Sequence, residues 1–243
     1  MSKKIKQNTK ALATIDEVNT AIILIKKGLI EIRNMKSIKS PAYKHIPLLL
    51  LSNGFERLLK CLLIFLYYKL NFIFPRYMEN FFKEYNNGHG LDLMFEEVLR
   101  TAKDSLIKMS PPLKRKEIQF LESDKNVKDL FKILSLYANS SSNYDVDVVI
   151  SEDHPPKNLS EEFEKFREDL YMQLNYPINE FLSHTDKLNK HTIYIIARIT
   201  KALCLCYTHP DFGYIASMHS SEVSDFTSIR TDKDYKKMNY LKI

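Results

Sequence analysis

Residues 48–70 read LLLLSNGFERLLKCLLIFLYYKL, an apolar run with a few charges near its middle and end. Its apolar residues nearly encircle a helical axis, which predicts the central helix of a bundle, beginning at about residue 45 and ending near residue 70. The charge-free pieces of this run are too short to span a bilayer, so we expect a core helix and no membrane association. Glu56 and Lys60 lie one turn apart on it, where they can form an ion pair.

The second informative stretch is GHGLD, residues 88–92. His89 stands between two glycines just before the next predicted helix, where its side chain can turn back toward the bundle. The free backbone amides at a helix start favour an anion, and histidine can transfer protons near neutral pH. His89 and Glu56 are therefore the candidate acid and base. The alternative is that the histidine only caps the helix or bonds to a neighbouring loop.

The other periodic segments complete an all-α, up-and-down helical bundle with additional C-terminal helices. The pattern Thr14-x-x-Glu17 resembles a capping box and predicts the start of the first helix. The last thirty or so residues show no periodicity, which predicts a packed extended arm or a disordered tail. The expected organisation is a basic flexible N-terminus (1–10), a bundle (11–150), a helical extension packed on it (151–210) and a C-terminal arm or tail (211–243).

Composition limits the classes of function. The net charge of +6 is concentrated at the two ends, since residues 1–10 contribute +4 and residues 230–243 contribute +3, which leaves −1 for the rest. Basic ends add weak, salt-sensitive attraction to polyanions without forming a binding groove. Three cysteines and no evident secretion signal indicate a reduced, cytoplasmic compartment. No phosphate-loop or dinucleotide motif occurs, and Cys204-x-Cys206-x-x-His209 has poor ligand spacing, so no cofactor or metal is expected.

The order of these features resembles HEPN-like domains over roughly residues 10–150. The features are a helix with Glu56 and Lys60, the Gly-His-x-Leu turn of residues 88–91, and a fourth helix that ends in LYANSSSNY, residues 136–144. The resemblance implies a helical bundle that commonly dimerises through its last helices. Such domains occur in RNA-cleaving toxins, phage-defence effectors and nucleotide-linked regulators.

Active members of that family carry an arginine followed, four to six residues later, by a histidine, and they cleave RNA without a metal. None of the eight arginines of this chain has a histidine at that distance, so the standard ribonuclease motif is absent. The matching helix ends instead in polar side chains that can hydrogen-bond a phosphate or a base. These candidate ligand-binding residues, together with Lys60, are Asn139, Ser142, Asn143 and Tyr144.

Two hypotheses follow from the sequence. In the first, a divergent HEPN-like protein binds RNA or a nucleotide near Glu56 and His89, with weak or lost ribonuclease activity. In the second, the polar residues only fix the bundle, and the chain is an interaction module that forms a homodimer or binds a protein partner. The first hypothesis predicts that Glu56, His89 and Tyr144 lie close together. It also assigns a phosphate-holding rim to Lys103, Lys108, Lys114, Arg115 and Lys116.

Overall fold

The computed structural model describes residues 3–35, 42–109, 112–139, 159–174 and 185–242. Within these ranges every regular element is helical, which confirms the all-α bundle. The α-helices are α1 Lys3–Asn34, α2 Ala42–Asn71, α3 Met78–Phe82, α4 Leu91–Met109, α5 Pro112–Ser123, α6 Lys125–Asn139, α7 Leu159–Gln173, α8 Thr185–Tyr207, α9 Gly213–Ser217, α10 Ser224–Thr227 and α11 Asp232–Lys237.

Helices α1 and α2 form an antiparallel hairpin. One face of α1 carries apolar residues at helical spacing, and Gly54 of α2 lies against it. A Cβ atom at Gly54 would be 2.6 Å from Ile25 Cγ1 and 3.1 Å from the Ala21 carbonyl oxygen, so only glycine permits this close approach. The fully or almost fully buried residues on this face of α1 are Val18, Ala21, Ile22, Ile25, Leu29 and Ile32.

The first helix begins at Lys3, so the prediction that it starts at Thr14 was wrong. The Thr14 hydroxyl donates to the Ala11 carbonyl oxygen at 2.6 Å within a continuous helix. Residues 3–13 contain no Gly or Pro and several strong helix formers, which explains why the helix extends through them. Residues 3–10 are therefore part of α1 and not a separate flexible segment.

The central position predicted for α2 is confirmed. It packs against α1, α4, α6 and α9, and its apolar side chains are buried on several sides. Phe55 meets Phe131 of α6 edge to face at 5.4 Å between ring centroids, and Phe131 stacks on Phe95 of α4 at 4.1 Å. None of the described helices combines the length and the apolarity needed to cross a bilayer.

Helix α8, which lies in the predicted helical extension, is a second core helix. Every residue from 199 to 207 is buried. At the end of α8 the Tyr207 hydroxyl donates to the Leu58 carbonyl oxygen of α2 at 2.9 Å. Because α8 also packs against α1, α5 and α7, its side chains belong to the same hydrophobic core as those of α2.

Residues 210–242 pack on the bundle, as the first of the two predicted alternatives requires, but they form short helices and turns and not an extended arm. Helices of four to six residues are too short to show a 3.6-residue period, which is why the sequence pattern did not reveal them. Two hydrogen bonds hold this segment to α1. Lys26 Nζ donates to Asp225 Oδ2 at 2.5 Å and to the Lys242 carbonyl oxygen at 2.7 Å. Its buried residues include Phe226, Ile229, Tyr235, Tyr240 and Leu241.

Candidate functional site

Glu56, Lys60 and His89 form one connected cluster. Lys60 Nζ donates to Glu56 Oε1 at 2.5 Å, and His89 Nδ1 lies 3.1 Å from Glu56 Oε2. The expected proximity of Glu56 and His89 is therefore confirmed. The Glu56 side chain is 16% exposed, whereas the His89 side chain is 50% exposed. The second ring nitrogen of His89 has no hydrogen-bond partner in the part of the chain that the structure describes.

A left-handed turn holds His89 in this position. Asn86, Asn87 and Gly88 have φ values of 51°, 55° and 90°, and asparagine and glycine are the residues that adopt this region most readily. A Cβ atom at Gly88 would lie 2.5 Å from Lys60 Cε and 2.8 Å from Lys60 Nζ. The lysine therefore packs directly on the turn backbone, and the positive φ of residue 88 favours glycine there.

The end of α6 reaches the same turn. Asn86 Nδ2 donates to Asn139 Oδ1 at 2.5 Å, and Asn139 Nδ2 donates to the Ser135 carbonyl oxygen at 2.8 Å. The Ser135 hydroxyl in turn donates to Asp92 Oδ1 in the first turn of α4, at 2.7 Å. Asn139 thus lies at the cluster's edge.

The remaining members of the predicted ligand-binding set, Ser142, Asn143 and Tyr144, lie outside the described residues. The expected proximity of Tyr144 to Glu56 and His89 therefore stays a prediction.

Two members of the predicted phosphate rim, Lys103 and Lys114, are engaged in other contacts. Lys103 is twelve residues along α4 from Leu91, about 18 Å at the helical rise, and it pairs with Glu122 of α5. Lys114 donates to the Thr208 carbonyl oxygen at 3.1 Å, and burial lowers its pKa. Arg115 and Lys116 are exposed on α5, and the side chain of Lys108 lies outside the described residues. The phosphate rim therefore stays a prediction.

The surface beside the turn is acidic, which the sequence analysis missed. A cavity of about 440 Å³ is lined by one arginine, two apolar or aromatic side chains and three carboxylates. The arginine, Arg100, is already held by Glu97 at 2.6 Å. Leu93, Glu96, Glu97 and Arg100 recur at three-to-four-residue spacing on α4, so a count of charges on that helical face could have found its two acids. Glu84 and Tyr85 precede the helix. The lining residues are Glu84, Tyr85, Leu93, Glu96, Glu97 and Arg100.

The cysteines of the Cys204-x-Cys206-x-x-His209 pattern are buried in α8. Burial raises the pKa of Cys206 to about 12, which disfavours the thiolate that a metal would need. His209 Nδ1 lies 2.9 Å from Asp211 Oδ2. Among the described residues there is no group of three or more metal-binding side chains.

A buried ionic cluster links α5 to α8. Glu117 Oε1 accepts from Lys201 Nζ at 3.0 Å, and Glu117 Oε2 accepts from Arg198 Nε at 3.0 Å. The Lys201 and Glu117 side chains are 2% and 6% exposed, and the Arg198 guanidinium lies 3.8 Å from the Phe120 ring centroid. The partners are more than eighty residues apart in sequence, so spacing rules could not pair them.

The fold and the cluster define an all-α protein with a histidine–carboxylate pair on the surface of one helical core. Comparison of the chain with protein-family models, with curated protein sequences and with solved structures gives no match. The resemblance to HEPN-like domains therefore stays a prediction.

Proposed function

We propose that this protein binds RNA at the end of the bundle where His89 and Asn139 meet, and that His89 acts there as an acid–base group. The observation that carries this proposal is the position of His89, held by Glu56 at 3.1 Å and half exposed to solvent. The carboxylate orients the ring, and the second ring nitrogen is open to solvent and to a ligand. The proposal includes a HEPN-like fold and a role in a toxin system or in phage defence.

The geometry supports one proton-transfer role in particular. An ionised Glu56 only accepts hydrogen bonds, so neutral His89 presents Nδ1–H to it and keeps the lone pair of Nε2 for a substrate. Lys60 Nζ donates to the other oxygen of the same carboxylate at 2.5 Å, so both oxygens of Glu56 are engaged. This arrangement suits a general base that takes the proton of a ribose 2′-hydroxyl.

The balanced reaction is an internal phosphoryl transfer. The 2′-oxygen attacks the adjacent phosphorus, the bond from phosphorus to the 5′-oxygen breaks, and the 5′-oxygen takes a proton from the imidazolium or from water. The products are a 2′,3′-cyclic phosphate and a 5′-hydroxyl. Because a single histidine supplies the acid–base step, we expect slow cleavage.

The charges around the cluster limit how RNA approaches. Glu84, Glu96 and Glu97 repel phosphates on one side of the turn. The exposed amides of Asn86 and Asn139 lie on the side of α6 and offer donors and acceptors to bases and phosphates. RNA is therefore expected to bind along the α6 end and to avoid the α4 face.

The test is cleavage of end-labelled total RNA, with RNA binding measured on the same samples. His89→Ala is compared with His209→Ala, a matched removal of a histidine that contacts Asp211 and belongs to neither candidate site. We expect slow cleavage by the wild type and by His209→Ala, with 2′,3′-cyclic ends, and none by His89→Ala. Absence of both cleavage and binding in the wild type contradicts the proposal.

A second candidate function, an interaction module, is favoured by an exposed apolar end of the molecule. Lys10 Nζ donates to the Pro75 carbonyl oxygen at 3.3 Å, and Gly213 packs on Lys69, so α1, the end of α2 and α9 meet there. Five large side chains on these segments are more than 60% exposed. They are Leu12, Leu70, Phe72, Tyr77 and Tyr214.

Phe72 is the most informative residue of this apolar end. It has a φ of 56°, a left-handed conformation that costs a bulky residue about 1–2 kcal/mol, and yet its side chain is 76% exposed. A strained aromatic residue that contributes nothing to the core suits a contact with a second copy of the chain. Sedimentation velocity tests this by comparing the wild type with Phe72→Gly and Tyr214→Ser. Dimers that both substitutions dissociate support a homodimer, whereas a wild-type monomer at all concentrations excludes it.

A further inference from the structure

A cavity of about 530 Å³ opens between the first half of α8 and α11. Its volume lies in the range of small-molecule sites. It shares no residue with the His89 cluster, so an argument about it is independent of the proposed function. Its lining combines aromatic rings, two lysines and one carboxylate: Lys190, His191, Tyr194, Asp232, Tyr235, Lys236 and Met238.

Contacts between neighbouring rings hold the aromatic side chains that line the cavity. The rings of His191 and Tyr194 are parallel to within 13°, with centroids 6.2 Å apart, and Tyr235 meets Tyr194 edge to face at 5.0 Å. Arg198, whose positive charge acts on the Tyr194 hydroxyl, is anchored by Glu117 at 3.0 Å. The aromatic side chains therefore lie beside the buried ionic cluster, and their ring contacts hold Tyr194 in place for a planar ligand.

The charged side chains that line the cavity favour a ligand with a negative charge. Lys190 and Lys236 are both exposed, while Asp232 is the one carboxylate among the described residues of the lining. Lys190 is paired with Asp186 at 2.6 Å, but both side chains are more than half exposed, so this pair is weak and can be exchanged for a ligand anion. Burial lowers the pKa of His191, although Asp124 opposes the shift, so its ring is a neutral stacking surface.

We propose that this cavity binds a nucleoside monophosphate. The base lies against Tyr194 and His191, the phosphate meets Lys190 and Lys236, and Asp232 accepts a hydrogen bond from a ribose hydroxyl or an exocyclic amino group. A planar ring, an anion and a hydrogen-bond donor are the three features that the lining matches, and a nucleotide carries all of them. A free nucleotide and the end of an RNA chain share this chemistry.

The test is isothermal titration of the full chain with AMP, GMP, CMP and UMP, beside adenosine, inorganic phosphate and a dinucleotide. We expect saturable binding of at least one monophosphate and much weaker binding of adenosine and phosphate alone. Equal or tighter binding of the dinucleotide assigns the cavity to RNA ends, and weaker binding assigns it to free nucleotides. No binding of any monophosphate at millimolar concentration overturns the proposal.

Two variants localise the binding. Tyr194→Leu removes the stacking surface, and the double substitution Lys190→Gln with Lys236→Gln removes the cations at surface positions where folding is preserved. Each is expected to weaken monophosphate binding by about tenfold or more, in line with the loss of one stacked base or of charge-assisted bonds. Lys233→Gln on the same helix, outside the lining, is the matched control and leaves binding unchanged. Unchanged binding in both cavity variants, or its loss in His89→Ala, overturns the assignment.

Discussion

Glu117→Gln is expected to lower the free energy of unfolding by about 3 kcal/mol. Glu117 holds two cations, and the substitution removes its charge while keeping one hydrogen-bond acceptor. Lys201 is then left with a 2% exposed ammonium group and no carboxylate. Breaking a buried ion pair by removing one partner costs about 3–5 kcal/mol. The lower end applies here because Arg198 is 20% exposed and can turn partly toward solvent.

This loss is large enough to measure and has a matched control. In a chain of this size it corresponds to a fall in melting temperature of about 6–12 °C. Urea unfolding followed by helical circular dichroism gives the free energy and its slope. Glu122→Gln makes the same change on the same helix. The ion pair of Glu122 with Lys103 is about half exposed, so its loss should lower the free energy of unfolding by less than about 1 kcal/mol.

A second substitution separates a lost ion pair from general damage. Lys201→Met fills the volume of the lysine stem without a charge, so combining it with Glu117→Gln should recover most of the lost stability. Equal losses for Glu117→Gln and Glu122→Gln would refute the reasoning, because the buried cluster would then behave like a surface pair.

Three other substitutions or conditions give direct tests. Gly88→Ala should lower stability by about 1–2 kcal/mol, since its φ of 90° disfavours a residue with a Cβ atom and the end of the Lys60 side chain would have to move aside; an unchanged thermal midpoint would contradict this. Phe72→Gly should raise the monomer's stability by about 1 kcal/mol through relief of the left-handed strain, and a loss in urea unfolding would count against it. Burial lowers the pKa of His191 and His219. The unfolded chain therefore binds more protons, and stability should fall as pH drops below about 6.5 and through the lower folded values; a flat profile would contradict this.

The periodicity of the apolar residues was sufficient to predict the long helices. Val18 to Ile32 on α1 and the apolar run of α2 repeat at helical spacing over many turns, so their buried faces could be read directly. The start of α1 could not be predicted in this way, because Thr14 and Glu17 form a capping pattern inside a helix that continues on both sides. The Thr14 hydroxyl, which the pattern assigns to capping, instead lies 3.0 Å from His219 Nε2 in a tertiary contact.

The candidate site was predictable only where it is local. Glu56 and Lys60 are four residues apart, and Asn-Asn-Gly before His89 marks a left-handed turn, so both features follow from short-range rules. The contact between Asn86 and Asn139 and the cluster around Glu117 join residues that are 53 and 84 positions apart. The cavity proposed to bind a nucleotide combines α8 with a six-residue helix that shows no periodic signal, so no pattern in the sequence could indicate it.

The most direct test of the central claim is the single-turnover rate of cleavage of one end-labelled RNA by the wild type and by His89→Ala. A positioned acid–base group contributes about 10²–10⁴ to the rate, so the variant should lose that factor while Glu56→Gln, which weakens the orientation of His89, loses less. Equal rates for the wild type and His89→Ala would contradict the account, because the exposed histidine would then have no part in the chemistry.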